Sequence, residues 1–362
     1  MLGRISTSSR MDLLKNDMNI NLANYNRLTA QLAANSKILS ITDDPIGAVN
    51  IVNTNRQLGN INTFSQNVGM ASKELSALDD LMELAGGYLN TAWQKAVQAN
   101  QQTYGHNSLA ALKTEIDETI KTMVDLANTE YNDNYIFAGA NTKIPPYEID
   151  EAGNIIYKGT PHDNPDYIRQ TEVADGVFET INTTGDKVFG YYKAETVTKD
   201  VNGNVVTKNE DGTYSYDDGT AYTGDVNDLK TEVVNEEYSG VMGALKVLSN
   251  SLQEVMDAQT AGDVEMEKAG YEKMNSTLDM FSNSLNTILT EQTKFGGVAN
   301  RLEMTDSTLE TTGDSLTQYL SQIKDVDYAT AITDWLQAQY AYQASLQVSS
   351  SAMNMSLLNY MR

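Results

Sequence analysis

From Trp335 to Met361 the chain runs 27 residues without a charged side chain, although the whole protein of 362 residues carries a formal net charge of −24. Such a stretch needs cover other than water. A membrane span does not fit, because Gln337, Gln339, Gln343, Gln347, Asn354, Asn359 and five serines would each require a partner in hydrocarbon. The spacing is helical. Ile332, Gln339, Leu346, Met353 and Tyr360 recur every seven residues, with Leu336, Gln343, Ser350 and Leu357 four residues after the first four, which is a coiled-coil seam with polar members. Trp335, Tyr340, Tyr342, Val348, Leu358 and Met361 leave that seam, so the helix is apolar on more than one face and is expected to be buried on more than one.

The opposite end repeats the pattern. Met11, Met18, Tyr25, Leu32 and Leu39 are spaced by seven, and Leu14, Asn21, Leu28 and Asn35 fill the alternate position. Two compatible seams predict one antiparallel helix pair built from the two termini. Burying one such seam returns less free energy than ordering a segment of this length costs in backbone entropy. The arms are therefore expected to be marginal or disordered in a lone subunit, and to order when neighbouring subunits cover their remaining faces. An ordinary intramolecular core is the competing reading; it is disfavoured because core helices seldom stay uncharged on the face away from the core.

Composition narrows the function classes. Twenty-five basic residues face 49 acidic ones, which argues against nucleic acid, whose phosphates need clustered Lys and Arg. The segment MLGRISTSSRMDLLKND has no apolar h-region, so a cleaved secretory signal is not expected, and no run of 18 apolar residues points to membrane insertion. Without cysteine there are no disulfides or thiolate metal sites, which suits a cytosolic protein or one exported by threading an unfolded chain. Charge is unevenly spread. Residues 145–237 hold 20 acidic and 7 basic residues, a net of −13, whereas residues 1–40 hold five basic and two acidic, a net of +3. The middle is expected to face solvent.

Along the chain, Thr42-Asp43-Asp44-Pro45 reads as a break and a capped helix start. A long helix follows to about Gln102, with Leu75, Leu78, Met82, Ala85, Leu89, Ala92, Ala96 and Ala99 on one face. Gly105 interrupts, and Ser108 is the expected cap of a helix carrying Leu109, Leu112, Ile116, Ile120, Met123 and Ala127. Between Pro145 and about Val234, short runs at 154–158, 188–193 and 204–208 alternate with turns at Asn202-Gly203, Asp211-Gly212 and Asp218-Gly219. Helices return near Glu237 with Leu245, Leu248, Leu252, Val255 and Met256; then come Met274, Leu278, Phe281, Leu285, Ile288 and Leu289, and Leu302, Leu309, Leu316 and Ile323 at intervals of seven. Gly86-Gly87 and Gly296-Gly297 are expected points of close packing or bending. The fold class is mainly α with an inserted β domain, long antiparallel helices from both termini forming coiled-coil-like and bundle domains. The expected division is residues 1–45 with 315–362, residues 46–144 with 236–314, and the inserted β-rich residues 145–235.

Catalytic motifs are scarce. Only His106 and His162 are present, which leaves no HExxH pair, no Cys/His zinc set and little room for a Ser-His-Asp relay. His106 reads as a solvent-facing turn residue and His162 as part of a loop, Pro161 to Pro165. No phosphate-cradling glycine loop follows a strand. Asp200-Val201-Asn202-Gly203-Asn204 has part of a calcium-loop pattern, but glycine stands fourth and Asp211 is not Glu, so a hairpin turn is favoured. Acidic pairs such as Asp217-Asp218 and Glu236-Glu237 read as solvated faces. The tyrosines of the insertion (Tyr147, Tyr157, Tyr167, Tyr191, Tyr192, Tyr214, Tyr216, Tyr222) fit cross-strand packing as well as a sugar or partner surface. No catalytic residue, cofactor or metal ligand is assigned.

Specific residues carry a family resemblance. Arg4-Ile5-Ser6-Thr7, Asp43-Asp44-Pro45-Ile46, Tyr135-Ile136-Phe137-Ala138-Gly139, Asp325-Val326-Asp327-Tyr328-Ala329, Tyr342-Gln343-Ala344-Ser345-Leu346 and Ser356-Leu357-Leu358-Asn359-Tyr360 stand in the order of the bacterial flagellin superfamily, which the chain resembles over about residues 1–142 and 240–362. The Tyr-Ile-Phe-Ala-Gly run and the Asp-Asp-Pro form favour its junction subunits, since flagellin itself usually has Ala-Ala-Gly after the Asp pair. The resemblance implies a non-enzymatic subunit, exported unfolded without signal cleavage and placed in the flagellum between a hook-side junction protein and the flagellin filament. It implies terminal helices lining an inner tube, with Met11, Leu14, Met18, Tyr25, Leu28, Leu32, Leu316, Ile323, Ile332, Leu336, Leu346, Met353, Leu357 and Tyr360 between subunits. It also implies a cytoplasmic export chaperone holding Gln339, Tyr342, Leu346, Met353, Leu357 and Tyr360. Two other readings stay open: flagellin itself, or a surface enzyme or adhesin seated on the β domain.

Overall fold

The computed structural model describes residues 7–101, 104–209, 213–216, 220–226 and 229–360. Arg4 to Ser6, the turn residues Asp211-Gly212 and Asp218-Gly219, the pair Asp217-Asp218, Met361, and the side chains of Thr7, Met353, Ser356, Leu357, Leu358, Asn359 and Tyr360 lie outside the described set. The fold is helical with an inserted antiparallel sheet, in two compact units: residues 1–65 with 307–362, and residues 66–306.

In the first unit, helix α1 (Thr7–Ala34) packs along α7 (Tyr328–Tyr360); the unit also holds the first part of α2 (Pro45–Ala99) and the last part of α6 (Val264–Lys324). The heptad continues on paper to Leu39, but α1 stops at Ala34. Asn35 takes a left-handed φ of 45°, Ser36 N–H reaches Gln31 O at 3.1 Å and Asn35 N–H points to Leu32 O at 3.4 Å. Those crossed bonds close the helix in a Schellman motif, so Asn35 and Leu39 are loop residues rather than seam positions. Asp44 then starts α2 as expected: its Oδ1 accepts from Ile46 N at 3.1 Å and Gly47 N at 2.9 Å, with Pro45 in the first turn.

In the second unit, α2 and α6 run antiparallel, since Asp79 pairs with Gln292 (3.3 Å) and Asn100 with Asn275 (3.1 Å). Helix α3 (His106–Ala127) is tied to α2 by Lys95–Glu115 and to α5 (Gly240–Ala261) by a 2.5 Å bond from Ser249 Oγ to Asp117. Leu75 to Ala99 of α2, Leu109 to Ala127 of α3 and Leu245 to Met256 of α5 are buried at every apolar position read from the sequence. Several expectations fail locally. Gly105, not Ser108, precedes α3, and no side chain caps it. Leu289 is 50% exposed, about 100° round α6 from the buried Ile288 and at the edge of the covered face. A Cβ at Gly87, Gly296 or Gly297 would meet nothing within 4 Å, and at Gly86 only Leu285 at 3.8 Å, so these glycines are not required by close packing.

The inserted sheet has strand order β3 (Tyr147–Ile149), β4 (Ile155–Tyr157), β7 (Tyr191–Lys199), β8 (Val205–Lys208), β9 (Tyr214–Tyr216), and β10 (Lys230–Ser239) also pairs with β7. All pairings are antiparallel. Two small hairpins stand apart from it: β1 (Glu130–Tyr131) with β2 (Asn134–Tyr135), and β5 (Gln170–Ala174) with β6 (Val177–Thr180). Val188, expected in a strand, ends the short helix α4 (Gly185–Val188), and β10 runs to Ser239, which delays the helical restart from Glu237 to Gly240. The Tyr135 to Gly139 run has a packing reason. Ile136, Phe137 and Ala138 are buried, Phe137 meets Phe189 edge-on at 4.8 Å, and Gly139 turns with φ of 70° against Thr160.

The Asn202-Gly203 turn joins β7 to β8 as expected. Asp200 Oδ1 accepts from Asn202 N and Asn204 N at 2.8 Å, and Oδ2 from Tyr216 Oη at 3.0 Å. Desolvation opposes ionisation there, but those bonds from Asn204, Tyr216 and Asn202 outweigh it and hold the carboxyl below its usual range. A depressed folded pKa contributes stability that is complete above the unfolded carboxylate value of about 4 and is lost as pH falls through the folded value. The protection factors of the Asn202 and Asn204 amides, with the intrinsic pH dependence of exchange divided out, are therefore expected to fall on acidification below about pH 4 and to stay constant between about pH 5 and 7. Loosening as pH rises instead would contradict the assignment.

Candidate assembly interface

The apolar carboxy-terminal stretch becomes α7, and its start is fixed by Asp327. Oδ1 accepts from Ala329 N at 3.0 Å and Oδ2 from Thr330 Oγ1 at 3.0 Å; the bonds from Thr330 and Ala329 lower the carboxyl's pKa. Lys37 N–H donates to Lys324 O at 2.7 Å and Lys37 Nζ to Gln322 O at 3.2 Å, pinning the loop after α1 to the turn before α7. The pair is antiparallel. Tyr25 stacks on Tyr342 (6.3 Å) and lies 5.8 Å from Trp335, whose Nε1 donates to Thr29 Oγ1 at 2.9 Å.

On α1 the covered positions are the expected ones: Met11, Leu14, Met18, Tyr25, Leu28 and Leu32 are half-buried. On α7 they are not. The half-buried row is Ala331, Trp335, Ala338, Tyr342, Ser345, Ser349 and Ala352, again spaced by four and three. This row is rotated one residue, about 100°, from the expected seam. Ile332 (46%), Leu336 (39%) and Leu346 (42%) are exposed, as are Tyr340 (66%) and Val348 (53%). Gln339 and Tyr342 lie on the covered side, while Leu316 and Ile323 are half-buried on α6. The rotation has a physical reason: small residues and two flat rings let the α7 backbone approach α1, and the bulky aliphatics are left outward.

An outward row of Ile, Leu, Tyr and Val on a helix with one charge, Asp334, is a surface suited to another protein surface. Full burial of each large side chain contributes roughly 1.5 to 3 kcal/mol. The spacing used on α1 passes over Leu13 (56%) and Ile20 (51%), which point away from α7; their separation of seven was the available signal. Leu39, Ile41, Ile46, Val49 and Val52 form a further exposed apolar set in the loop after α1 and the start of α2.

Other chemistry is sparse. His106 is exposed at the start of α3, and His162 Nδ1 sits 2.8 Å from Asp186 Oδ2. Among the described residues no group of three His, Cys, Asp or Glu is placed to hold a metal ion, and no helix is long and apolar enough to cross a membrane.

Comparison with known proteins gives the same two ends. Residues 5–142 match the family model of the bacterial flagellin N-terminal helical region, and residues 278–361 that of the bacterial flagellin C-terminal helical region. The flagellar hook-associated protein 3 of Escherichia coli (strain K12) is 24% identical over 336 residues, 92% of each chain, and that of Salmonella typhimurium is 24% identical over 362 residues, 99% of this chain and all of its own. A crystal structure of flagellar hook associated protein-3 from Legionella pneumophila superposes with a TM-score of 0.56 at 17% identity, covering 75% of this chain and 98% of that one; likeness at this level speaks to the fold. With matched regions at both ends that together exceed half its length, and long helices in those regions, this chain belongs to the bacterial flagellin family.

Proposed function

We propose that this chain is a structural subunit of the bacterial flagellum, the adaptor at the hook-filament junction on which the flagellin filament assembles. The observation that carries this reading is the end-to-end likeness to hook-associated protein 3 of two bacteria, which includes the insertion as well as the shared helical ends. Its partners are further copies of itself, a hook-side junction protein and flagellin, and it works outside the cell after export without signal cleavage. Residues 1–45 and 315–362 supply the contacts between copies; residues 46–144 with 236–314 form the helical bundle, and residues 145–235 the solvent-facing β-rich part. An export chaperone holds the stretch from Gln339 to Tyr360 before assembly. The role is non-enzymatic.

Immunogold labelling of flagella tests the placement. A single band where hook meets filament is expected, and label along the whole filament would make the chain flagellin instead. The terminal pair is a second test. In a dilute monomer the α1 and α7 amides are expected to exchange quickly and to gain protection on assembly. Strong protection in the monomer would remove the need for neighbours to complete these helices.

A further inference from the structure

The unit of residues 66–306 contains a cleft of about 370 Å³ lined by Lys73 and Glu74 of α2, by Tyr131, Asn132 and Tyr135 of the β1–β2 hairpin, and by Arg169 ahead of β5. Its electrostatics run against the rest of the chain. The lining itself carries two cations and one carboxylate, with Glu130 as a second carboxylate at the Tyr135 edge, so that cations and carboxylates balance here in a protein of net −24. Glu74 pairs with Arg169 through Nη2 only; Nε is buried with no acceptor, and Nη1 bonds to no described residue. A guanidinium with five donors and one carboxylate contact is under-compensated, and buried donors of this kind normally have partners. Lys73 has no ion-pair partner among the described residues and lines the same space.

The remaining wall is built for a ring with hydroxyls. Tyr131 and Tyr135 present aromatic surface, and the neighbouring Glu130 carboxylate raises the pKa of the Tyr135 hydroxyl. Asn132 and Asp133 hold left-handed φ of 51° and 58°, the two-residue turn that brings the Asn132 amide to the cleft. The volume is that of a small-molecule site and exceeds what one inserted side chain fills. We propose that this cleft binds a small hydroxylated carboxylate of the hexuronate type, its acid group held by Lys73 and Arg169 and its ring against the two tyrosines. A hydroxylated ring stacks on aromatic faces while its hydroxyls take the Asn132 amide and the free Glu74 oxygen.

Saturation-transfer NMR on the full chain with D-galacturonate as the probe tests this. Saturable transfer to the sugar ring protons is expected. D-galactose, which lacks the acid, and acetate, which lacks the ring, should each bind roughly tenfold more weakly, as should D-galacturonate to Lys73→Gln. Lys73 is exposed and has no ion-pair partner among the described residues, so that variant keeps its fold, checked by circular dichroism. Equal binding of galactose, unchanged binding to Lys73→Gln, or no saturable transfer would overturn the proposal. So would a Lys73→Gln defect in assembly without any galacturonate binding, which would assign the cleft to an acidic side chain of a neighbouring subunit.

Discussion

Leu346→Asp is expected to give a subunit that folds normally and no longer joins its neighbours. In the single chain Leu346 is 42% exposed on the outward face of α7, so a carboxylate there keeps its water and the Tyr25, Trp335 and Tyr342 contacts on the other face stay intact. Once a second subunit covers that face, the carboxylate is buried without a partner. Such a group costs about 3 to 5 kcal/mol, a factor of roughly a hundred to several thousand in association. The contrast separates assembly from folding: helical circular dichroism of the dilute protein is unchanged, while incorporation at the hook end is lost. Incorporation at the normal level would mean that the outward row of α7 is not an interface.

Gly190→Ala is expected to destabilise the second unit by about 2 to 5 kcal/mol. Gly190 has φ of 71°, a region costing other residues roughly 1 to 2 kcal/mol. It also lies where β7 begins against the end of β10, so that an added Cβ would overlap the carbonyl group of Ser239 and sit 2.7 Å from Gly240 N. These are backbone atoms, and overfilling a packed site typically costs a further 1 to 3 kcal/mol. Gly176→Ala is the control: φ is 70°, yet nothing lies within 4 Å of the added carbon. Urea unfolding should show a large fall in midpoint for Gly190→Ala and a small one for Gly176→Ala, with similar slopes. Equal falls would show that the close approach to Ser239 contributes nothing.

What could be read from the residues depended on contrast. Helix α3 has one apolar and one polar face, and its buried side follows directly from spacing, whereas α5 is buried nearly all round from Val241 to Leu252 and spacing named only part of what it covers. Helix α7 is apolar nearly all round, so periodicity established a helix but not which side α1 takes; the small residues Ala331, Ala338 and Ser345 decided that through close approach. The end of α1 was hidden because Asn35 and Leu39 keep the heptad spacing although Asn35 is the left-handed stop. Glu291 shows the limit of local signals. It is buried in α6, with Oε1 2.6 Å from Lys187 Nζ and Oε2 3.3 Å from Thr183 Oγ1, partners more than a hundred positions away that no nearby pattern announces.

Strands β7 and β10 lie side by side from Tyr191 and Ser239 outward to Lys199 and Lys230, and both strands contact α5. The chain therefore leaves the helical part and returns to it along two adjacent strands, with Lys199 and Lys230 side by side at the far end of the ladder. For an engineer the tip is a mounting point: a foreign epitope or catalytic peptide spliced between Lys199 and Lys230 leaves the helical contacts that make a subunit untouched.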